Sequence, residues 1–214
     1  MSCTICGGEV RDGVRSLKNY NMNLQYLEIG TSDFDTIVQK SNDVGMSVEP
    51  IKYYLDRLPS KENNTKVNCA ISTDDQEGQV EVYYVPAEVI HANKWPNWLR
   101  GCNSVNDYHL QHRNLNIEKH VKKELVPLLS ISSLIKNYNI ESIEYLKTDT
   151  EGQDCGILKC FFECIKNNTT LQPNKILFES NVLSVENDII EIVELYSNIG
   201  YKVTRNRTDT TMIK

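Results

Sequence analysis

Two groups of residues in this chain have the types and the spacing to do chemistry. The first lies in residues 24–36, LQYLEIGTSDFDT, where an apolar run ends in Glu28, breaks at Gly30 and passes through Thr31, Ser32 and Asp33 into a helical pattern starting near Phe34. A glycine there lets the backbone fold sharply, and amides at a helix start are donors for an electron-rich ligand. Glu49 closes a second apolar run one helix further on. In a doubly wound sheet an acid about twenty residues beyond the glycine turn stands beside the ribose hydroxyls of a nucleoside. A lone glycine without the fuller phosphate-binding fingerprint, framed by acids, suits a cationic ligand that has no phosphate. S-adenosylmethionine, with its ammonium and sulfonium, meets that description better than a dinucleotide does. The expected cofactor contacts are Glu28, Gly30, Thr31, Ser32, Asp33, Glu49 and Pro50, with Ala70 and Ile71 as an apolar wall for adenine.

The second group is Asp149, Glu151 and Gly152 in YLKTDTEGQD, followed by Glu179 and Asn181 in KILFESN. Acids at the carboxyl end of a strand sit at the mouth of an open α/β sheet, where ligands bind. Asp149 is expected to be catalytic, and Glu151 reads as a cap of the helix that follows. Carboxylates on neighbouring strand ends can share a divalent cation, so Asp149, Glu179 and Asn181 are the expected ligands of a Mg²⁺ ion. Between the two groups, residues 95–112 crowd aromatic and polar side chains around Pro96 and Gly101, the composition of a specificity loop. Trp95, Trp98, Arg100, Asn103, Ser104 and His112 are expected to contact an acceptor, and His109 to join Asp149 in catalysis.

These residues need elements to position them. Apolar runs predict strands over 24–29, 43–49, 66–72, 143–148 and 175–179, with a closing pair at 201–204 and 209–213. Helical patterns fall between them. One starts at Pro50 with Ile51, Tyr54, Leu55 and Leu58 on its apolar stripe, and another covers 155–166 with Ile157, Leu158, Phe161 and Ile165 inward. Residues 78–85 alternate like a hairpin strand outside the main sheet, and 125–129 reads as an edge strand or extended lead-in. Strands alternating with helices predict an α/β fold with a mostly parallel sheet.

The 214 residues suit one such domain over 24–214, preceded by a segment 1–23 that can lie over the cofactor site as a short helix. A net charge of -6 argues against a nonspecific nucleic-acid surface. Seven irregularly spaced cysteines and no secretory signal favour reduced thiols in the cytoplasm, and no apolar run is long enough to span a membrane. Cys3 and Cys6 resemble half of a zinc knuckle whose other half is missing.

Taken in order, LEIGTSDFDT, SVEP, KVNCAIS, YLKTDTEGQD and ILFES resemble the successive motifs of FkbM-type methyltransferases, a branch of the class I S-adenosylmethionine-dependent enzymes. LKTDTEG is the most specific of them. The chain departs from the family's first motif at Glu28, Ser32 and Phe34, where an aspartate, an asparagine and a second glycine are usual. The resemblance implies a Rossmann-like, seven-stranded, mostly parallel sheet with one antiparallel strand near its edge and helices on both faces. It also implies methyl transfer to a hydroxyl of a small-molecule or glycan acceptor, most often a sugar, with a polyketide-like metabolite as the alternative. A nicotinamide-dependent oxidoreductase and a non-catalytic nucleoside-binding domain are the competing readings, the second resting on bulky Phe34.

Overall fold

The computed structural model describes residues 21–214, so the expectations for Cys3, Cys6 and the segment ahead of Asn21 lie outside the described residues. In chain order its elements are β1 (Met22–Ile29), α1 (Ile37–Lys40), β2 (Gly45–Val48), α2 (Lys52–Leu55), β3 (Asn64–Val67), β4 (Ala70–Ile71), β5 (Gly78–Tyr84), α3 (Ala87–Ala92), β6 (Ser104–Val105), α4 (Leu110–Asn114), β7 (Lys122–Leu129), α5 (Ile131–Asn137), β8 (Ile140–Thr148), α6 (Asp154–Ile165), β9 (Lys175–Glu179), α7 (Glu186–Asn198), β10 (Lys202–Arg205) and β11 (Asp209–Ile213).

The main sheet has seven strands in the order β10-β11-β9-β8-β1-β2-β3. Its central strands are apolar on both faces because helices cover both, which is why β2 is buried along its whole length. The ladders from β3 to β9 are parallel, and those of β11 with β9 and with β10 are antiparallel. The sheet is therefore mixed, which corrects the expectation of a mostly parallel one. The cause is local. The Asn206 carbonyl oxygen of the side chain accepts from the amides of Thr208 and Asp209, at 2.8 and 2.7 Å, and folds the chain back so that β11 inserts between β9 and β10.

The expected strand over 66–72 is split. Asn68 donates through its side chain to the carbonyls of Glu49 and Pro50, at 3.0 and 2.7 Å, and the chain leaves the main sheet after Val67. Ala70 and Ile71 then join a second sheet of four strands in the order β4-β7-β5-β6. As expected, residues 78–85 lie outside the main sheet, and they pair antiparallel with β7 from Gly78–Leu128 to Tyr84–Lys122. This small sheet walls one side of the space above the main sheet, over a core of Ile51, Tyr54, Val80, Val82 and Val126.

The α6 stripe is as the periodicity predicts, with Ile157, Leu158, Phe161 and Ile165 all buried against β8 and β9 neighbours in the main core. Such burial contributes roughly 1.5–3 kcal/mol for each large side chain. It holds α6, and the turn before it, rigidly over the strand ends. α1 is shorter than expected because Ser32 and Asp35 adopt left-handed backbone at φ 48 and 58, which leaves Phe34 in a turn ahead of the helix. Among the described residues no helix is long and apolar enough to cross a membrane.

Candidate active site

A cavity of about 410 Å³ opens where β1, β2, β8 and β9 end, within the size range of small-molecule sites. Gly30 makes the junction. Its φ is +80, and a Cβ added there would stand 2.0 Å from the carbonyl oxygen of Asp149, so only glycine lets the ends of β1 and β8 meet this closely. Glu49, 2 % exposed, reaches back from the end of β2. One carboxylate oxygen accepts from the amides of Thr31 and Ser32, at 3.0 and 2.7 Å, and the other from the amide of Ile51 at 3.0 Å. Burial pushes this carboxyl up to about 7 despite the opposing pull of the three amides. Thr31, Ser32, Pro50, Ala70 and Ile71 line the cavity with Gly30 and Glu49, so the expected cofactor residues largely come together.

Two expected cofactor residues do not line the cavity, Glu28 and Asp33. Glu28 is fully buried, with one oxygen on Lys147 Nζ at 2.8 Å and the other on the Ile37 amide at 2.8 Å. It fills the start of α1, and the amides that were expected to face a ligand there face Glu49 and Glu28 instead. Burial pulls Lys147 down, but its pairing with Glu28, helped by Asp149 and Tyr145, carries it upward, so its ammonium stays charged at the cavity wall. Asp33 is held between Arg57 Nε at 2.5 Å and Arg100 Nη1 at 2.8 Å.

Arg100, expected at the acceptor, does not line the cavity and packs on the turn after Gly30. Its guanidinium lies 4.7 Å from the centre of the Phe34 ring and its carbonyl accepts from Ser32 Oγ at 2.8 Å. Phe34, the bulky departure from the family motif, thus has a dedicated partner and itself lines the cavity. Trp98, Asn103 and Ser104 line the cavity as expected, with Trp98 48 % exposed at its mouth. Trp95 does not; it packs edge-on to His120 and against the apolar cluster of Val85, Ile90 and Leu99. His112 also lies outside, fully buried, and burial beside His109 pushes its ring down to about 4, so it is neutral.

Opposite the Gly30 turn, carboxylate oxygens of Asp149, Glu151 and Glu179 lie within 4.8 Å of one another. Asp149 is exposed at the cavity wall yet enclosed by protein on its other sides. Burial, with Asp154, Glu151 and Asp209 nearby, pushes it up to about 7 against the pull of Lys147. Burial and the same acidic neighbours push Glu179 up to about 9. Asn181 is not part of this oxygen set: its amide donates to Glu179 at 2.6 Å and its own oxygen accepts from the Leu183 amide at 2.7 Å. Three carboxylates and no amide oxygen are therefore the groups able to hold a divalent cation here.

Glu151 was expected to cap α6, but Gln153 stands at the cap position without a side-chain bond to the helix amides, and Glu151 turns into the cavity; buried Asp154, the first residue of α6, instead accepts from the Thr150 amide at 3.2 Å and ties down the turn ahead of the helix. His109 Nε2 lies 2.9 Å from Glu151, and His109 Nδ1 accepts from the Gln111 amide at 3.1 Å. The second bond assigns the proton to Nε2. Cys102, His109 and Glu151 also have ligand atoms within 4.8 Å of one another. A metal on Nε2 would move the proton to Nδ1 and set it against the Gln111 N–H, so this trio does not suit one.

The cavity joins a glycine turn and a buried acid to a cluster of carboxylates at the carboxyl ends of the strands, where open α/β sheets bind their ligands. A family model described as Methyltransferase FkbM domain matches residues 28–203, and the chain belongs to that family. Comparison with curated proteins and with solved structures found no match in either.

Proposed function

We propose that this protein is an S-adenosylmethionine-dependent O-methyltransferase acting on a hydroxyl of a sugar or glycan, with residues 24–214 as one catalytic unit and residues 86–120 as its specificity segment. The observation that carries the reading is a single cavity shared by the Gly30–Glu49 turn and the Asp149, Glu151, Glu179 cluster.

The residues fit the cofactor. A carboxylate offers about four lone-pair sites. Glu49 Oε2 accepts the Thr31 and Ser32 amides and, at 3.5 Å, the Thr31 hydroxyl, whereas Oε1 accepts only the Ile51 amide, which leaves one site on Oε1 for a ribose hydroxyl. Ala70, Ile71 and Cys69 offer an apolar wall for adenine. When bound, the cofactor supplies a methyl group made electrophilic by its sulfonium.

The rest is done by the chain. Gly30 brings the cofactor turn against the Asp149 backbone, so the two halves of the cavity are held at one distance. Asp149 and Glu179 hold protons near neutral pH and can donate as well as accept, which suits neighbouring hydroxyls on one ring. Trp98 offers an aromatic face at the mouth. A Mg²⁺ ion on Asp149 and Glu179 would supply Lewis acidity toward the same hydroxyl, and Glu179 has a buried carboxylate oxygen without a partner to give it. Cys69, Cys102, Cys155, Cys160 and Cys164 are all free thiols, which supports a reducing, cytoplasmic setting.

Calorimetry with S-adenosylmethionine and with NAD tests the reading. Binding of the first alone is expected, and binding of NAD alone refutes it.

A further inference from the structure

We propose that Glu151 is the general base of the transfer and that His109 is its positioning residue, a fixed hydrogen-bond donor that never carries the substrate proton itself. This rests on the methyl-transfer reading above.

The imidazole is set from behind. His109 is the residue that caps α4: its Nδ1 accepts from the Gln111 amide at 3.1 Å, and the ring is 5 % exposed. Fully buried His112 backs it at 5.7 Å, edge to face. With Nδ1 an acceptor, Nε2–H is the donor, aimed at Glu151 Oε2 at 2.9 Å. The helix start therefore decides which nitrogen faces the cavity and what it carries. A ring so held has no free lone pair to take a proton from an acceptor, which removes His109 as the base.

The carboxylate is set from its own side. Glu151 has left-handed backbone at φ 54, a strained conformation for a non-glycine residue that the surrounding structure must hold. The next residue, Gly152, has φ +94, and a Cβ there would come within 2.9 Å of the Leu183 carbonyl oxygen. The turn is thus wedged against the 181–183 segment, and the wedge aims Glu151 at the cavity. Glu179 is tied to the Asn181 amide. Glu151 has one oxygen on His109, and its Oε1 takes no hydrogen bond from the described residues and is open to an acceptor.

In the step that follows, the acceptor oxygen bonds the methyl carbon as its O–H proton passes to Glu151 Oε1. The carbon–sulfur bond breaks with both electrons going to sulfur, so sulfonium and carboxylate charges are consumed together and a neutral thioether leaves.

Two substitutions at His109 separate its jobs. His109→Asn places an amide oxygen near Nδ1 and keeps the cap but loses the donor, whereas His109→Gln places an amide N–H near Nε2 and keeps the donor but loses the cap. The proposal expects the Gln variant to keep kcat within about tenfold and the Asn variant to lose roughly 100-fold, with cofactor affinity unchanged in both. The reverse order overturns it. Glu151→Gln should lose at least about 100-fold in kcat while still binding cofactor, and full turnover would overturn the proposal. Nitrogen NMR of the ring in protein without cofactor reads the tautomer directly: Nε2–H is expected, and Nδ1–H overturns the assignment whatever the activity. That measurement fails independently of the methyl-transfer reading, which cofactor calorimetry registers by itself.

Discussion

Glu49→Gln is the substitution whose effect can be worked most fully from the geometry. The carboxylate accepts from Thr31 and Ser32 on one oxygen and from Ile51 on the other, at 3.0, 2.7 and 3.0 Å. A glutamine amide has one acceptor oxygen, so in its better orientation it serves Thr31 and Ser32 and sets its NH₂ against the Ile51 N–H. That leaves a buried donor unsatisfied, at about 1–3 kcal/mol, and turns two charge-assisted bonds into neutral ones of about half the strength. Against this, the neutral side chain avoids the net cost of ionising Glu49, whose carboxyl is raised by burial from 4.5 to about 7 even after those bonds pull it down, roughly 3.5 kcal/mol at about 1.4 kcal/mol per unit. The two effects nearly offset in the fold, so stability should fall by no more than about 2 kcal/mol, or roughly 4–8 °C in Tm at this chain length. They do not offset in the complex. A ribose hydroxyl donating to a charged oxygen is worth about 1.5–3 kcal/mol, so calorimetry should show S-adenosylmethionine binding weakened at least about tenfold. A Tm shift of this size with unchanged affinity would make Glu49 a fold anchor only and refute the cofactor assignment.

Three further outcomes follow from the same geometry. Glu179 has a folded value of about 9 against an ordinary 4.5, so the native state holds its proton more tightly than the unfolded chain across that window, and stability must fall as pH rises through it. Glu179→Gln should therefore resist urea better than the unaltered protein at about pH 9, with the difference closing toward about pH 5; parallel pH profiles would contradict this. Arg100→Ala removes one of two cations from Asp33 and the partner of the Phe34 ring, and should raise the cofactor dissociation constant about tenfold; a change confined to acceptor KM would return Arg100 to the acceptor. Asp149→Asn should cost at least about 100-fold in kcat with cofactor affinity nearly unchanged, and EDTA should reproduce the loss only if a cation sits on the carboxylates; full activity in the variant would remove Asp149 from the chemistry.

Much of the Gly30–Glu49 side of the cavity could be read from residue types, because strand-end glycines and acids have few alternatives once a strand–turn–helix pattern is recognised. Gly30 and Glu49 line one cavity for that reason. Glu28 looked identical to a ligand-facing acid, and only its buried partner Lys147, distant in sequence, shows otherwise. Arg100 carried the signature of an acceptor loop, but its partner Asp33 lies in the glycine turn, a pairing that no local pattern contains. Asn68 and Asn206 redirect strands through two side-chain bonds each, so the split of the third strand and the mixed sheet were hidden in residues that read as ordinary polar positions. Glu151 was legible as an acid close to a helix start, but its turn into the cavity was not, because it follows from the left-handed backbone of Glu151 and Gly152, which residue types alone do not show.

The most direct test of the central claim is transfer of an isotopically labelled methyl from S-adenosylmethionine to a panel of glycosides, with the product's labelled atom located by NMR. The account predicts label on a hydroxyl oxygen with the unaltered protein, and none with a Glu151→Gln variant that still binds cofactor in calorimetry. Label on nitrogen or carbon, or transfer that survives Glu151→Gln undiminished, would contradict it.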